Sequence, residues 1–403
     1  MAMLSIFMTQ GYAEYIDKIY NFLILLDFWC KACIITLEKY HYLMYGVYMM
    51  KSSHTRSAFL DVLKAVAITL VLVGHAMQFG SGMHCYIYSD FFDNVVFKVI
   101  YSFHMPLFML ISGYLFRSSV QRHSFRENLV SRFTSLIVPI MLWSIVPYVI
   151  RIVSGDERGV FLIVRAYFTT CLGNFWFLWA VFYSSLIVLA LNRFCHDNIV
   201  VYIVLAVIML LTPDLSRLQL YKFMYGYFIV GYMWAKGRHR VNSANPGRLV
   251  AAFMVMCVIY AGLFRLYGRD CYIYTTGFSL LGKDMPIQLA IDIYRFVIGI
   301  VGSSVVILSA AILAYIFKHV NIVGAACGKL VEIVGYVGKN TLGIYLASTL
   351  IFIYIIKPLA WGLYGIDYVM VLIQTAAVMI MSLVVIWLIR RIPVIGRWLL
   401  GGR

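Results

Sequence analysis

Asp61, Lys64 and His75 lie within RSAFLDVLKAVAITLVLVGH, an otherwise apolar run long enough to cross a membrane as a helix. An ionisable group at mid-membrane costs roughly 2.5–3.5 kcal/mol on insertion scales, so each such residue is read first as functional. Lys64 and His75 are eleven residues apart, close to three helical turns, which places them on one face about 16 Å apart along the axis. Asp61, three residues before Lys64, joins the same stripe. A neutral imidazole can take a proton from a hydroxyl, which acyl transfer to an alcohol requires, and this makes His75 the candidate catalyst. A buried histidine hydrogen-bonded between helices would occupy the same position, and position alone leaves both readings open. Lys64 suits a phosphate or pyrophosphate arriving from the cytoplasm, and so does Arg132 in SRFTSLIVPIMLW. Both also fit as cations snorkelling to the membrane interface. Asp61 is about 21 Å from His75 along a helix, too far to orient it, and is better placed to pair with Lys64. A carboxylate for His75 would have to come from elsewhere, with Asp90 and Asp93 nearest in sequence.

Other residues could support this chemistry. In FHMPLFMLISGYLF, His104 precedes Pro106 within a helical run, and a proline there frees backbone groups that often line a cavity. Ser112 and Gly113 are small enough to let helices approach closely. Asp292 and Arg295 stand three apart, either as a structural pair or with Arg295 facing the cavity of His75. Trp176 and Trp179 in NFWFLWAVF fit an interfacial aromatic belt. No GxGxxG, P-loop, GxSxG, HExxH or paired Cys/His spacing is present, which argues against nucleotide hydrolysis, metal chemistry and serine-hydrolase chemistry. No metal and no bound cofactor are expected.

The elements that must position these residues are membrane helices. The chain of 403 residues is 63% hydrophobic and 12% charged, about half the charge fraction of a soluble domain. The fold expected is an all-α polytopic membrane protein with about ten transmembrane helices in one bundle. The spans fall at about 58–79, 94–116, 133–150, 175–191, 198–212, 219–235, 249–266, 288–316, 330–356 and 367–389. The net charge of +16 lies mostly in loops between apolar runs, where it reports topology and not a nucleic-acid partner. With the start of the first span cytoplasmic, inner segments hold about twice the Lys and Arg of outer ones, so both ends of the core are expected to be cytoplasmic. Lys64 is then near the inner face and His75 toward the outer third. Residues 1–50 fit the rest poorly and are read as an extension, interfacial or upstream of a natural start at Met49 or Met50, with 51–403 as the membrane domain. Cys30 and Cys33 form a CxxC without redox context, while Cys85 and Cys271 fall in expected outer loops and could pair.

These residues alone end at a membrane bundle with a histidine–cation stripe, either a transporter or a membrane enzyme. The segment LDVLKAVAITLVLVGH holds a basic residue, ten others and a histidine. With FHMPLFMLISGYLF and the looser pair RFTSLIVP and NFWFLW, it resembles the acyltransferase-3 family of membrane acyltransferases, near its fucose 4-O-acetylase-like branch. GKNTLGIYLAS resembles a late-span motif of that family that often ends in histidine; here Ser348 stands there and takes no role. The resemblance covers about residues 55–390. It implies O-acylation, usually acetylation, of a sugar on a surface polysaccharide or lipid-linked glycan, with acetyl-CoA as the donor substrate, in the bacterial cytoplasmic (inner) membrane. It maps His75 to the essential histidine and Lys64 to the essential cation, with Arg132 less firmly on the donor and Asp61, His104 and Arg295 as supporting candidates. The chain stops soon after its last span, which suggests a single-component enzyme. The rival reading is a transporter or flippase for a sugar-linked lipid, using the same cations without covalent chemistry.

Overall fold

In the computed structural model, residues 58–153, 160–215, 217–236, 246–319 and 325–402 are described. The expectations for residues 1–50 and for the Cys30–Cys33 motif lie outside them. The described residues are helical and contain no strand, so the all-α reading holds. Apolar side chains on backbones whose hydrogen bonds close within each helix are what lipid demands.

The helices run α1 Ala58–Phe79, α2 Gly82–Tyr88, α3 Val95–Arg122, α4 Phe125–Ile150, α5 Val160–Gly173, α6 Trp176–Cys195 and α7 Ile199–Leu210. They continue as α8 Leu218–Lys236, α9 Pro246–Phe264, α10 Met285–His319, α11 Ala325–Lys339, α12 Thr341–Leu359, α13 Tyr368–Arg390 and α14 Pro393–Leu399. Among the described residues, 8 helices are long and apolar enough to cross a membrane: α1, α3, α4, α6, α9, α10, α12 and α13. The chain is a multi-pass membrane protein. Three expected spans take other forms. The fifth is the short helix α7. The sixth is α8, whose buried Tyr225, Tyr227, Tyr232 and Lys222 turn into the bundle and lower its apolarity. The ninth is broken at Asn340 between α11 and α12, where the Asn340 amide donates to the Tyr336 carbonyl (2.7 Å) and its oxygen accepts from Arg390 (2.6 Å). Most of the loop expected at 151–174 is helix α5.

The ends of these helices follow local chemistry. Asn94 caps α3, its side-chain oxygen accepting from the amides of Val96 (2.9 Å) and Phe97 (3.3 Å), which satisfies donors that have no partner inside the helix. Ser124 and Glu127 form a capping box at the start of α4. The core is built on α3, against which α8, α10 and α1 pack. α3 and α8 touch backbone to backbone. A Cβ on Gly113 would stand 2.0 Å from the Phe228 carbonyl oxygen, and one on Gly231 would stand 2.0 Å from that of Leu110. Only glycine on both sides permits that approach, which gives the Ser112–Gly113 pair its packing role.

Candidate active site

Helices α1, α3, α8, α10 and α12, with the start of α6, enclose a cavity of about 570 Å³. Its far wall is formed by α2 and the segment 271–274. His75, His104 and Arg295 all line it, although they lie on three helices far apart in sequence. Lys64 and Arg132 line a second cavity of about 190 Å³. Val71, Met105 and Tyr345 line both. The shared stripe on α1 is therefore divided, with Lys64 opening to one chamber, His75 to the other, and Val71 between them in the partition.

His75 is half-buried, and its ring packs at steep angles against two aromatic rings. Its ring meets Phe79 at 5.6 Å and Phe352 at 5.7 Å between centroids, with interplanar angles of 70° and 86°. Such edge-to-face pairs favour one arrangement over a loose stack. Phe352 opens a single π-helical turn, Phe352–Ile356, within α12, a distortion often found at functional sites. The Nδ1 of His75 is buried with no hydrogen-bond partner among the described residues, which leaves Nε2 as the nitrogen open to the cavity. Among the described residues, no aspartate or glutamate lines this cavity. The carboxylates nearest in sequence are engaged elsewhere: Asp90 accepts from His84 at 2.9 Å, and Asp93 binds Arg269 through two hydrogen bonds.

His104 is fixed differently. Its Nδ1 lies 2.7 Å from the Ile100 carbonyl. A carbonyl can only accept, so Nδ1 carries the proton and Nε2 the lone pair. Tyr101 stacks on Phe97 at 3.8 Å and lies against His104 at 4.7 Å, so this part of the wall is a continuous aromatic face. Pro106 has no N–H to offer the Ser102 carbonyl one turn back, and it lines the cavity beside His104.

Arg295 both pairs with Asp292 and faces the cavity. It is 2% exposed, and all of its N–H groups are engaged. Nε donates to the Cys271 carbonyl (2.9 Å), and Nη1 donates to the Gly277 carbonyl (2.6 Å) and Asp292 (2.8 Å). Nη2 donates to the carbonyls of Asp270 (2.7 Å) and Tyr272 (3.1 Å) and to the Thr276 hydroxyl. The guanidinium is thus the centre around which the loop 270–277 folds, and that loop is the cavity wall opposite α1. Cys271 in this loop is buried and free, and so is Cys85, so the two do not form the disulfide that their loop positions would have allowed. Burial and the neighbouring Asp270 push the Cys271 thiol up to about 12.

In the second chamber Lys64 donates to Asp61, and both are buried. The Arg132 guanidinium stacks over the Phe116 ring at 4.3 Å. α11 crosses α1 at this level, where a Cβ on Gly338 would come within 1.8 Å of the Asp61 carbonyl oxygen. Among the described residues, no cluster of His, Cys, Asp and Glu could hold a metal ion.

Several residues of the cavity were passed over in the sequence. Tyr345 lies in GKNTLGIYLAS, three residues before Ser348, and forms part of the partition. Asn174 lines the cavity beside Trp176, which the sequence had singled out only as an aromatic at the start of a span. Arg217 lines it from the short segment before α8. The motif segments could have pointed to Tyr345 and Asn174; nothing local marks Arg217.

Residues 57–391 match the family model described as an acyltransferase domain, Acyl_transf_3. Two relatives, each described as nodulation protein NolL, come from Mesorhizobium japonicum and Sinorhizobium fredii. The first is 29% identical over 228 residues, covering 55% of this chain and 59% of its own length. The second is 31% identical over 231 residues, covering 55% and 60%. The chain therefore spans about three fifths of the length of these relatives. No solved structure matches it. With the family model matched from one residue before α1 to the residue after α13, the chain belongs to the acyltransferase-3 family.

Proposed function

We propose that this protein is a membrane O-acyltransferase that moves acetyl from acetyl-CoA to a sugar hydroxyl of a surface polysaccharide or lipid-linked glycan. It would work in the cytoplasmic membrane of a bacterium, with both ends of the core on the cytoplasmic side. The observation that carries this reading is the pair of chambers with a common partition. Lys64 and Arg132 stand on one side, His75 with an open Nε2 on the other, and Val71, Met105 and Tyr345 lie between.

Each chamber has a role in the reaction. Lys64 and Arg132 hold the phosphates of the donor, which enters from the Lys64 end. Asp61 keeps the Lys64 ammonium in place. The pantetheine arm is long enough to cover the ~16 Å from Lys64 to His75 and delivers the thioester past the partition. The acceptor enters the larger chamber, where aromatic side chains such as Tyr101, Trp176 and Tyr272 present flat apolar faces with polar edges to a sugar ring. Nε2 of His75 takes the proton of the sugar hydroxyl as its oxygen bonds to the thioester carbonyl carbon. The C–S bond then breaks, and the proton passes from the imidazolium to the leaving thiolate, giving the sugar ester and free CoA. His104 lines the same chamber with a lone pair on Nε2 and supports the acceptor hydroxyl.

The test is transfer of radiolabelled acetyl from acetyl-CoA to glycan in membranes that contain the protein. His75→Ala is expected to reduce transfer by about a hundredfold or more, and Lys64→Ala to raise the KM for acetyl-CoA. Full activity in both variants, or no transfer by the wild type, overturns the proposal.

A further inference from the structure

The acceptor chamber carries a cation that the reaction above does not use. Arg217 lines the cavity from the end opposite Lys64. Among the described residues its guanidinium makes no hydrogen bond and no ion pair. Four carboxylates of the loops and helix ends around the cavity are held by other groups. Asp214 is bound by Lys222 (2.8 Å) and by the amides of Phe278 (2.7 Å) and Ser279 (2.8 Å), with Lys283 at 3.4 Å. Asp93 is held by Arg269, Asp90 by His84 and Asp292 by Arg295. Arg295, the other arginine of the cavity, has no N–H left for a ligand. Arg217, which is exposed to solvent at the mouth of the chamber, therefore stands as a cation with no carboxylate beside it among the described residues that line the cavity.

The groups around it are hydroxyls. Arg217 acts electrostatically on the phenols of Tyr274 and Tyr345, which line the same cavity. Tyr274 makes no side-chain hydrogen bond among the described residues. A guanidinium fork beside a free phenol offers several N–H and O–H donors to one group of oxygens, the set that recognises phosphate or carboxylate.

We propose that Arg217 and the Tyr274 hydroxyl form an anion subsite of the acceptor chamber, and that the acceptor carries a phosphate or carboxylate near the hydroxyl to be acylated. This rests on the proposed transferase reading. The anion has two sources, a phosphate linking the sugar to a lipid or to the next sugar, or the carboxylate of a uronic acid.

The experiment has two arms. In the first, the purified full chain in detergent is melted with inorganic phosphate, glucuronate or neutral methyl glucoside, at ionic strength matched with potassium chloride. Phosphate or glucuronate is expected to raise the Tm of the wild type, to raise it less for Arg217→Lys, and not to raise it for Arg217→Gln. A response to phosphate alone assigns a phosphate-bearing acceptor, and a response to glucuronate alone assigns a uronic acid. An equal rise in Arg217→Gln, or a rise with neither anion, overturns the subsite. In the second arm, acetyl transfer to the glycan of native membranes is expected to fall about tenfold or more in Arg217→Gln, with the KM for acetyl-CoA unchanged and partial recovery in Arg217→Lys. A raised KM for acetyl-CoA places Arg217 on the donor and overturns the proposal. If the wild type transfers no acetyl at all, the transferase reading falls, while the melting arm still decides whether Arg217 binds an anion.

Discussion

Replacing Arg295 by methionine separates a wall-building arginine from one that touches substrate. Methionine keeps much of the length of the side chain and removes every N–H. The carbonyls of Asp270, Cys271, Tyr272 and Gly277 and the Thr276 hydroxyl all lose a donor. Asp292, 5% exposed, keeps only Gln288, whose amide reaches its oxygens at 3.1 Å. Removing one partner of a buried ion pair costs about 3–5 kcal/mol, because the remaining charge is left in low dielectric. That is a large part of the roughly 5–15 kcal/mol that keeps a domain folded. Arg295→Met should therefore show a clear fall in Tm in detergent and, as the 270–277 wall loosens, a loss of acetyl transfer. Arg295→Met/Asp292→Leu removes the stranded charge and should recover much of the Tm but not the activity, because the loop carbonyls still lack their donor. Arg295→Lys should fall between, since an ammonium on a flexible stem cannot span carbonyls arranged around a planar fork. The reasoning is refuted if Arg295→Met melts like the wild type yet transfers no acetyl, for then the arginine acts on the substrate and not on the wall.

The other predictions concern packing and pH. Gly338→Ala forces a methyl against the Asp61 backbone at 1.8 Å; it should push α11 off α1, cost at least about 1–3 kcal/mol, and weaken acetyl-CoA binding by displacing Lys64, all readable from Tm and KM. An unchanged Tm would show that α11 does not pack there. Asp214 lies in the segment between α7 and α8. Burial pushes its carboxyl up, but Lys222 and the amides of Ser279 and Phe278 outweigh this and hold it at about 2. Because the folded value is depressed, its stabilisation is full above the unfolded value near 3.9 and is lost as pH falls toward 2. Asp214→Asn should therefore lower Tm at pH 7 and reduce its dependence on pH between about 4 and 2, and identical pH–Tm curves would refute the clamp.

How much of this was legible depends on the range of the interaction. Sequence spacing puts Lys64 and His75 on one face of α1, and the helix obeys it because nothing between them breaks the 3.6-residue period. The same spacing says nothing about a partition. Tyr345 and Met105 arrive from α12 and α3 to divide the face into two chambers, and only tertiary packing brings them there. The Asp292–Arg295 pair was visible as an i,i+3 step. Its loop partners were not, because backbone carbonyls of residues 270–277 carry no signature in side-chain chemistry. α8 shows the converse problem. Counting apolar residues presumes a lipid-facing surface, whereas a helix enclosed by α3, α6 and α10 can carry tyrosines and Lys222 without exposing them to lipid. Arg217 was passed over as one more loop cation, since charge counts along a sequence cannot tell a paired arginine from one left alone on a cavity wall.

That no carboxylate stands among the described residues of the cavity walls bears on the timing of the proposed reaction. In a histidine–carboxylate arrangement the acid orients the ring and stabilises the imidazolium that forms. Here Phe79 and Phe352 pack edge-to-face with the ring and help to orient it, but neither brings a formal negative charge to offset an imidazolium. Arg217 and Arg295 add positive charge on the same walls. A fully formed imidazolium at His75 is therefore costly, and its cost falls if negative charge develops close by in the same step. The thiolate leaving from the donor is such a charge, and an anionic group on the acceptor would be another. This favours direct transfer, in which the proton passes from sugar to His75 to sulfur while the acetyl group moves once, over a route that stores the acetyl group on the imidazole. An acylimidazole would have to persist between donor release and acceptor attack with no carboxylate to offset its charge. Labelled acetyl-CoA supplied without acceptor should accordingly leave no label on the protein after a rapid acid quench, and label retained by the wild type but not by His75→Ala would establish the covalent route instead.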